Sequence, residues 1–399
     1  MGVSSLNIVI AGGGIGGLTA ALCIAKVGYT VTVLEQAERF SELGAGIQLS
    51  PNATRVLSEL GLEKEIASVS FRPQATEFRG WRNGRVISTS PLGDAAIAAY
   101  GSPYFHIHRA DLLNLLLAAA QAEPKIDLHT SARLDNFAQK DKKVFVNYGA
   151  SQPETLEADV LIGADGIHST VNGQLWGEQP PHFTGNVAYR AMVPAAALPK
   201  GRMRPVGTVW WGPGKHFVHY FVRGGEWINC VCVVEQSQWV DESWTQPAAL
   251  DELRDHFRGW HDDLHLLFEH IDQQQLYRWG LFDRDPMPRW SRGQVSLLGD
   301  ACHPTLPFMA QGAAMAIEDA KVLARCLNQS GPIEHQLQRY EALRKRRTAA
   351  IQLGSRRNSR IFHLRGLAAL ARNFGARFAS DASMRKLYAY DANMIALDP

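Results

Sequence analysis

The run Gly12-Gly13-Gly14-Ile15-Gly16-Gly17 restricts what this chain can fold into more than any other stretch. Asn7 to Ala11 precede it as a short apolar run of β type, and Leu18 to Val27 follow as a small-residue helical stretch closed by Gly28. Thr30 to Leu34 form a second β-branched run that ends at Glu35. Strand, glycine turn, helix, strand and acid in that order predict a Rossmann-type unit. Gly12 lets the chain turn sharply, Gly14 lets backbone approach a pyrophosphate, and Gly17 lets the helix pack closely on the sheet. The helix N-terminus offers unpaired N–H groups to phosphates. Glu35, about 20 residues on, can accept hydrogen bonds from ribose hydroxyls. A glycine-rich turn in another α/β protein would lack this agreement. The motif predicts a dinucleotide and leaves FAD and NAD both open.

Two later motifs narrow the choice. Val160 to Gly163 reads as a buried strand running into Asp165-Gly166, and Val295 to Leu298 as a second one running into Gly299-Asp300. An Asp at the C-terminal end of a strand in a doubly wound sheet points into the ligand crevice. Taken alone, Asp165-Gly166 is equally an ordinary turn. Gln311 to Ala320 then opens a helix whose N-terminus can support negative charge on a reduced flavin.

At these residues the chain resembles the single-component (group A) FAD-dependent aromatic hydroxylases, whose GxGxxG, central Asp-Gly and late Gly-Asp followed by His-Pro all occur here in order. The resemblance covers essentially the whole chain. Gly44 to Asn52 and His108 to Leu112 look most like the branch containing 3-hydroxybenzoate 6-hydroxylase, salicylate hydroxylase and 6-hydroxynicotinate 3-monooxygenase. The resemblance implies that Glu35 and Arg109 hold the adenosine and pyrophosphate side of FAD. It implies that Asp165 serves the flavin and a passing NADH or NADPH, and that Asp300 binds the ribityl chain. The backbone at Gly312, Ala313 and Ala314 would face the flavin pyrimidine. The 6-hydroxynicotinate enzymes carry His where this chain has Gln48, which counts against a hydroxypyridine substrate. The Trp-x-Trp-x-Ile-Pro signature of flavin-dependent halogenases is absent.

The fold expected is α/β, a Rossmann-like FAD-binding domain interrupted by a β-sheet substrate domain and followed by C-terminal helices. FAD-binding parts are placed at 1–73, 101–182 and 278–332, a substrate-domain hairpin at 74–100, a β-rich substrate domain at 183–277, and helices at 333–399. Ser50, Pro51 and Gly61 bracket a helix from Asn52 to Leu60. Asn83-Gly84 marks a hairpin within Ala75 to Ser90. Alternating runs from Gly185 to Glu235, separated by Gly212-Pro213-Gly214 and Gly224-Gly225, predict an antiparallel sheet. A ligand cleft is expected between the lobes.

Hydroxylating a phenolic ring requires a flavin hydroperoxide, a dry pocket and an electron-rich ring. A phenol with pKa near 10 is only about one part in a thousand ionised at pH 7. A base that removes its proton therefore activates the ring. The run Lys215 to Phe221 places His216, Val218 and Tyr220 on one strand face. By resemblance to related hydroxylases His216 is the candidate base and Tyr220 the candidate for orienting substrate. A core histidine bonded to a backbone carbonyl is the plainer alternative. His219 falls on the opposite face. Phe308 and Trp211 are candidate ring neighbours with core packing as their other role, and Pro307-Phe308 supplies no polar group.

The predicted reaction is thus FAD-dependent hydroxylation of a small aromatic acid by NAD(P)H and O2. Alternatives are an N-heteroaromatic substrate, a flavin dehydrogenase or reductase without oxygen insertion, and a non-catalytic flavin sensor. A net charge of +2 gives no pull toward nucleic acid or anionic membrane. The longest nearly unbroken apolar stretch, Leu112 to Ala120, contains Asn114 and is far short of the roughly 20 residues a membrane span needs. Residues 1–5 lack a basic signal region, and Leu6 stands where a myristoylation motif wants Ser or Thr. Cys23, Cys230, Cys232, Cys302 and Cys326 read as buried thiols of a reducing cytoplasm, without zinc spacing. Between Arg339 and Lys386 lie 13 Arg or Lys against only Glu341 and Asp381. This tract reads as a solvated helix face with a subunit contact in a monomer or homodimer, rather than an RNA-binding patch.

Overall fold

A computed structural model describes residues 6–40, 45–149, 153–239, 246–378 and 382–398. Gly44, Asp381 and the extreme N-terminal residues read above lie outside them.

The chain opens with β1 (Asn7–Ala11), α1 (Ile15–Lys26) and β2 (Thr30–Leu34). The helix begins three residues earlier than expected and encloses Gly16 and Gly17, because its buried face must reach the sheet. Then come α2 (Pro51–Glu59), the hairpin β3 (Ala75–Gly80) and β4 (Val86–Pro91), α3 (Arg109–Gln121) and β5 (Ile126–His129). Next are β6 (Val160–Gly163), α4 (Thr170–Trp176), the long β7 (His182–Pro194), β8 (Gly207–Gly212), β9 (Lys215–Val222) and β10 (Trp227–Glu235). The chain finishes with β11 (Tyr277–Asp283), β12 (Val295–Leu297), α5 (Gly312–Leu327), α6 (Ile333–Phe362), α7 (Gly366–Ala376) and α8 (Ala382–Tyr388).

Five strands form a parallel sheet in the order β12-β6-β1-β2-β5. Parallel sheets are covered on both faces, and the unbroken apolar strands show it: Ile8, Ile10, Val33, Leu161 and Ile162 are all buried. All three motif loops leave this sheet at the same edge, because β1, β6 and β12 run in the same direction. A second sheet of eight strands contains β11-β7-β10-β9-β8-β3-β4. Most pairs are antiparallel, but β8 joins β3 in parallel, Gly207 opposite Thr76, which attaches the early hairpin to the later strands. Its outer face buries Trp210, Phe217, Phe257 and Phe268 under two short helices. The other face turns toward the parallel sheet.

Ser50 precedes α2 as expected but caps nothing with its side chain; its Oγ donates to Asn52 Oδ1 and accepts from Gln311 Nε2. The basic C-terminal tract needs a larger correction. Arg344 is fully buried between Glu318 and Asp319 of α5, Arg347 pairs with Glu318, and Arg356 pairs with Asp283 and Asp285. Much of the charge that read as a solvated face stitches α6 to the rest of the molecule.

Candidate active site

Each glycine of the first loop meets a different constraint. Gly12 has φ +107°, and a Cβ there would lie 2.3 Å from Ala164 O. A Cβ on Gly17 would lie 1.9 Å from Gly12 O, so helix and loop touch backbone to backbone. Around Gly14 a Cβ would meet nothing within 4 Å, because this residue borders open cavity. It is also the N-cap of α1 and brings no side chain to the helix terminus, whose first amides remain available to a ligand. Glu35 accepts from Gly13 N–H and Ala37 N–H, both at 2.9 Å. Its carboxylate thus fixes the loop and still lines the cavity. Gly17→Ala is expected to strain the fold by roughly 1–3 kcal/mol and to lower the FAD-to-protein ratio read from visible absorbance. A fully loaded Gly17→Ala protein would contradict this account of the loop.

One cavity of about 1300 Å³ runs from this loop to the inner face of the eight-stranded sheet. It exceeds the roughly 300–1,000 Å³ of an ordinary small-molecule site, enough for a dinucleotide and a second ligand. Arg109, Asp165, Asp300, Gly312 and Ala313 border it, as does Glu35. Ala314 does not border it: the residue is buried in the core. Asp165 accepts from Ser169 Oγ at 2.5 Å and from Val171 N–H at 3.1 Å, holding the start of α4. Burial raises its carboxyl despite those bonds. Asp300 projects into the open volume yet is ringed by protein; desolvation raises it, opposed by His303 and Arg109.

The amino end of α5 faces the cavity without a side-chain cap, since Gln311 is held elsewhere by Ser50 and by Asn52 Nδ2 at 3.1 Å. Uncapped amides at two helix N-termini, a side-chain-free approach at Gly14 and an acid at the end of β2 fit FAD. Behind this helix lies a cluster that sequence reasoning missed. Asp319 accepts from Gly299 N–H at 3.2 Å, contacts His303 Nε2 at 2.5 Å and pairs with Arg344 Nε at 2.6 Å. Burial would raise Asp319, but His303 and Arg344 more than offset it and hold it below the usual carboxylate range. The only sequence signal was an acid pair inside an apolar helix.

At the far end of the cavity, His216, Val218 and Tyr220 share the inner face of β9. His219 points the other way, against Trp210 and Phe217. The His216 ring sits 5.1 Å from Phe308 and 5.4 Å from Phe362. Its Nδ1 lies 2.8 Å from His363 Nε2, leaving Nε2 as the nitrogen for the cavity. That partner is a side chain 147 residues away and not the backbone carbonyl of the plainer reading. Burial and the nearby His363 together push His216 well below its ordinary pKa. Tyr220 is buried beside His106, with ring centroids 4.4 Å apart. Trp211 lines the same end, and Arg372 of α7 lies over it at 4.6 Å. Arg372 donates to the carbonyls of Ile361 and Phe362 and borders the cavity; burial pushes its pKa down to about 10. Gln48, also at the cavity, accepts from Tyr104 Oη at 2.5 Å.

The sequence model of the family described as FAD binding domain matches residues 5–353. The chain is 38% identical to 6-hydroxynicotinate 3-monooxygenase of Bordetella bronchiseptica, over 88% of this chain and 91% of that protein. It is 37% identical to 3-hydroxybenzoate 6-hydroxylase of Polaromonas naphthalenivorans, over 93% of this chain and 91% of that one. A solved salicylate hydroxylase substrate complex superposes with a TM-score of 0.83 at 26% identity, covering 98% of this chain and 96% of that one.

Proposed function

This chain belongs to the FAD binding domain family and its homologues are FAD-dependent aromatic monooxygenases; from that premise we propose that it hydroxylates a small hydroxyaromatic acid such as 3-hydroxybenzoate or salicylate. The observation that carries this reading is His216, held by its Nδ1 and facing an aromatic-walled cavity end with its other nitrogen. Bound FAD would supply the oxygen activation, with NADH or NADPH as the reductant. The chain's own residues bind it, order the substrate and move a proton.

In this reading Glu35 and Arg109 would hold the adenosine and pyrophosphate side, Asp165 and Asp300 the flavin side, and the uncapped amides that open α1 beside Gly14 would meet phosphate. The amides at Gly312, Ala313 and Ala314 would meet charge on the ring system. His216 Nε2 removes the phenolic proton, Tyr220 orients the ring, and Phe308 and Trp211 flank it. Arg372 adds a fixed positive charge at the same end, suited to a carboxylate. An acid with one phenolic group meets both His216 and Arg372.

The pH dependence follows in sign. A base whose pKa is lowered keeps its lone pair as pH falls through the ordinary histidine value near 6.5. His216 is faced by His363, Phe308 and Phe362, and His363 in turn by Glu235, Arg365 and Arg372. Hydroxylation is therefore expected to show no acid limb centred near pH 6.5. A limb with that midpoint in kcat/KM would count against His216 as drawn.

The direct test is oxidation of NADH and NADPH against hydroxybenzoates, salicylate, 6-hydroxynicotinate and anthranilate, with products identified under labelled oxygen. Label in the product separates a hydroxylase from a flavin reductase. Failure of every hydroxybenzoate, with turnover of 6-hydroxynicotinate, would favour the N-heteroaromatic reading that the 38% identity supports. Among the described residues no helix is long and apolar enough to cross a membrane. We place the enzyme in the cytoplasm as a monomer or homodimer, and its five free, buried cysteines support a reducing compartment.

A further inference from the structure

His216, His363 and Glu235 stand in a line from the cavity to the surface. His216 Nδ1 is 2.8 Å from His363 Nε2, and His363 Nδ1 is 3.3 Å from Glu235 Oε1. Both rings are buried, whereas the Glu235 side chain is 46% exposed and its Oε2 is held by Arg365 at 2.7 Å. Gly214 locks the three segments together: its N–H donates to His363 O, and its own carbonyl accepts from Glu235 N–H, both at 3.0 Å. With φ +69° and a Cβ that would fall 2.3 Å from the Arg365 guanidinium, only glycine suits this junction. The line spans the start of β9, the turn before it, the end of β10 and the end of α6.

We propose that Glu235, acting through His363, fixes His216 in the tautomer whose Nε2 accepts the substrate proton, and gives that proton a route to solvent. The proposal rests on the reading of His216 as the base. A carboxylate paired with Arg365 can only accept, so His363 carries its proton on Nδ1. Burial keeps His363 neutral, its pKa pushed down to about 4 although Glu235 pulls the other way. Its Nε2 is then an acceptor and must receive a proton from His216 Nδ1, which leaves the lone pair of His216 on Nε2. In the transfer the substrate O–H breaks and His216 Nε2–H forms. His216 Nδ1–H passes to His363 Nε2, and His363 Nδ1–H passes to Glu235 and on to water. The reverse transfers restore both rings when the product oxygen is reprotonated. His363 and Glu235 touch no substrate and are positioning residues.

Nitrogen NMR of the FAD-loaded enzyme labelled at histidine reads the tautomer without any substrate. The wild-type protein should carry the His216 proton on Nδ1. His363→Leu and the half-exposed Glu235→Ala should each lose that Nδ1–H signal in favour of Nε2–H, while Glu235→Gln, which keeps an acceptor oxygen, should retain it. A wild-type His216 protonated on Nε2, or an unchanged signal in a folded Glu235→Ala protein, would overturn the proposal. Should His216→Ala hydroxylate at the wild-type rate while these signals behave as stated, the base assignment fails and the tautomer control stands.

Discussion

The His216→Ala enzyme is expected to hydroxylate its acid roughly 10²–10⁴-fold more slowly than wild type, the usual contribution of a positioned base. The loss should depend on pH in a specific way. Without a base, only the substrate fraction already ionised reacts, about one part in a thousand at pH 7 for a phenol of pKa near 10. The variant's rate should therefore climb about tenfold per pH unit from 7 to 9, while the wild-type rate stays nearly flat. FAD content should not change, because His216 lies at the aromatic end of the cavity beside Phe308 and Phe362 and away from the glycine loop. NAD(P)H oxidation should persist and yield peroxide in place of product. His216→Asn, which fills more of the space, separates loss of the base from loss of shape. Equal wild-type and variant slopes against pH would remove His216 from the chemistry.

Arg344→Met should be the most damaging change away from the cavity. Arg344 is fully buried, and its guanidinium reaches Asp319 at 2.6 Å and Glu318 at 2.7 Å. Removing one partner of a buried ion cluster typically costs about 3–5 kcal/mol, because the remaining charge stays uncompensated. In the wild-type protein burial raises Glu318 and Asp319, but Arg344 with Arg347 and His303 overrides it and both are depressed. Their stabilisation is present above the ordinary carboxylate range and is lost as pH falls through the depressed values. Without Arg344 the sign reverses for at least one of them. Its pKa rises, and stability is recovered as pH falls and lost as pH rises. Urea midpoints across pH 5 to 8 should thus fall with pH in Arg344→Met and not in wild type. Parallel profiles for the two proteins would refute this account. Because Asp319 also holds Gly299 N–H, FAD retention should weaken alongside stability.

Much of the cofactor end was legible because its requirements are local. A positive φ at Gly12, a helix packed against Gly17 and an acid ending β2 are properties of one βαβ unit, and each leaves a residue-type signature within thirty positions. The place of Asp165 and Asp300 at the cavity was readable for a related reason: short apolar runs ending in polar turns mark where parallel strands deliver their loops. The alternation of β9 likewise separated His216 and Tyr220 from His219 before any contact was known. Ala314 shows the limit of that reading, since its place in the helix opening was evident and its burial in the core was not.

The sequence by itself thus determined the nucleotide unit, the two sheets and the strand face that carries His216, since periods of 2 and 3.6 residues and glycine sterics act over short distances. Tertiary structure alone decided that Arg344 turns inward to two carboxylates and that Arg372 lies over Trp211. It alone brought His363 and Glu235 into line behind the candidate base. Those contacts join residues 25 to 161 positions apart. Their formation depends on which helix face packs where, and a basic run carries no mark of whether water or a buried acid will be its partner. The glycine loop holds its information in its own backbone; the base holds its in residues the chain reaches only after folding.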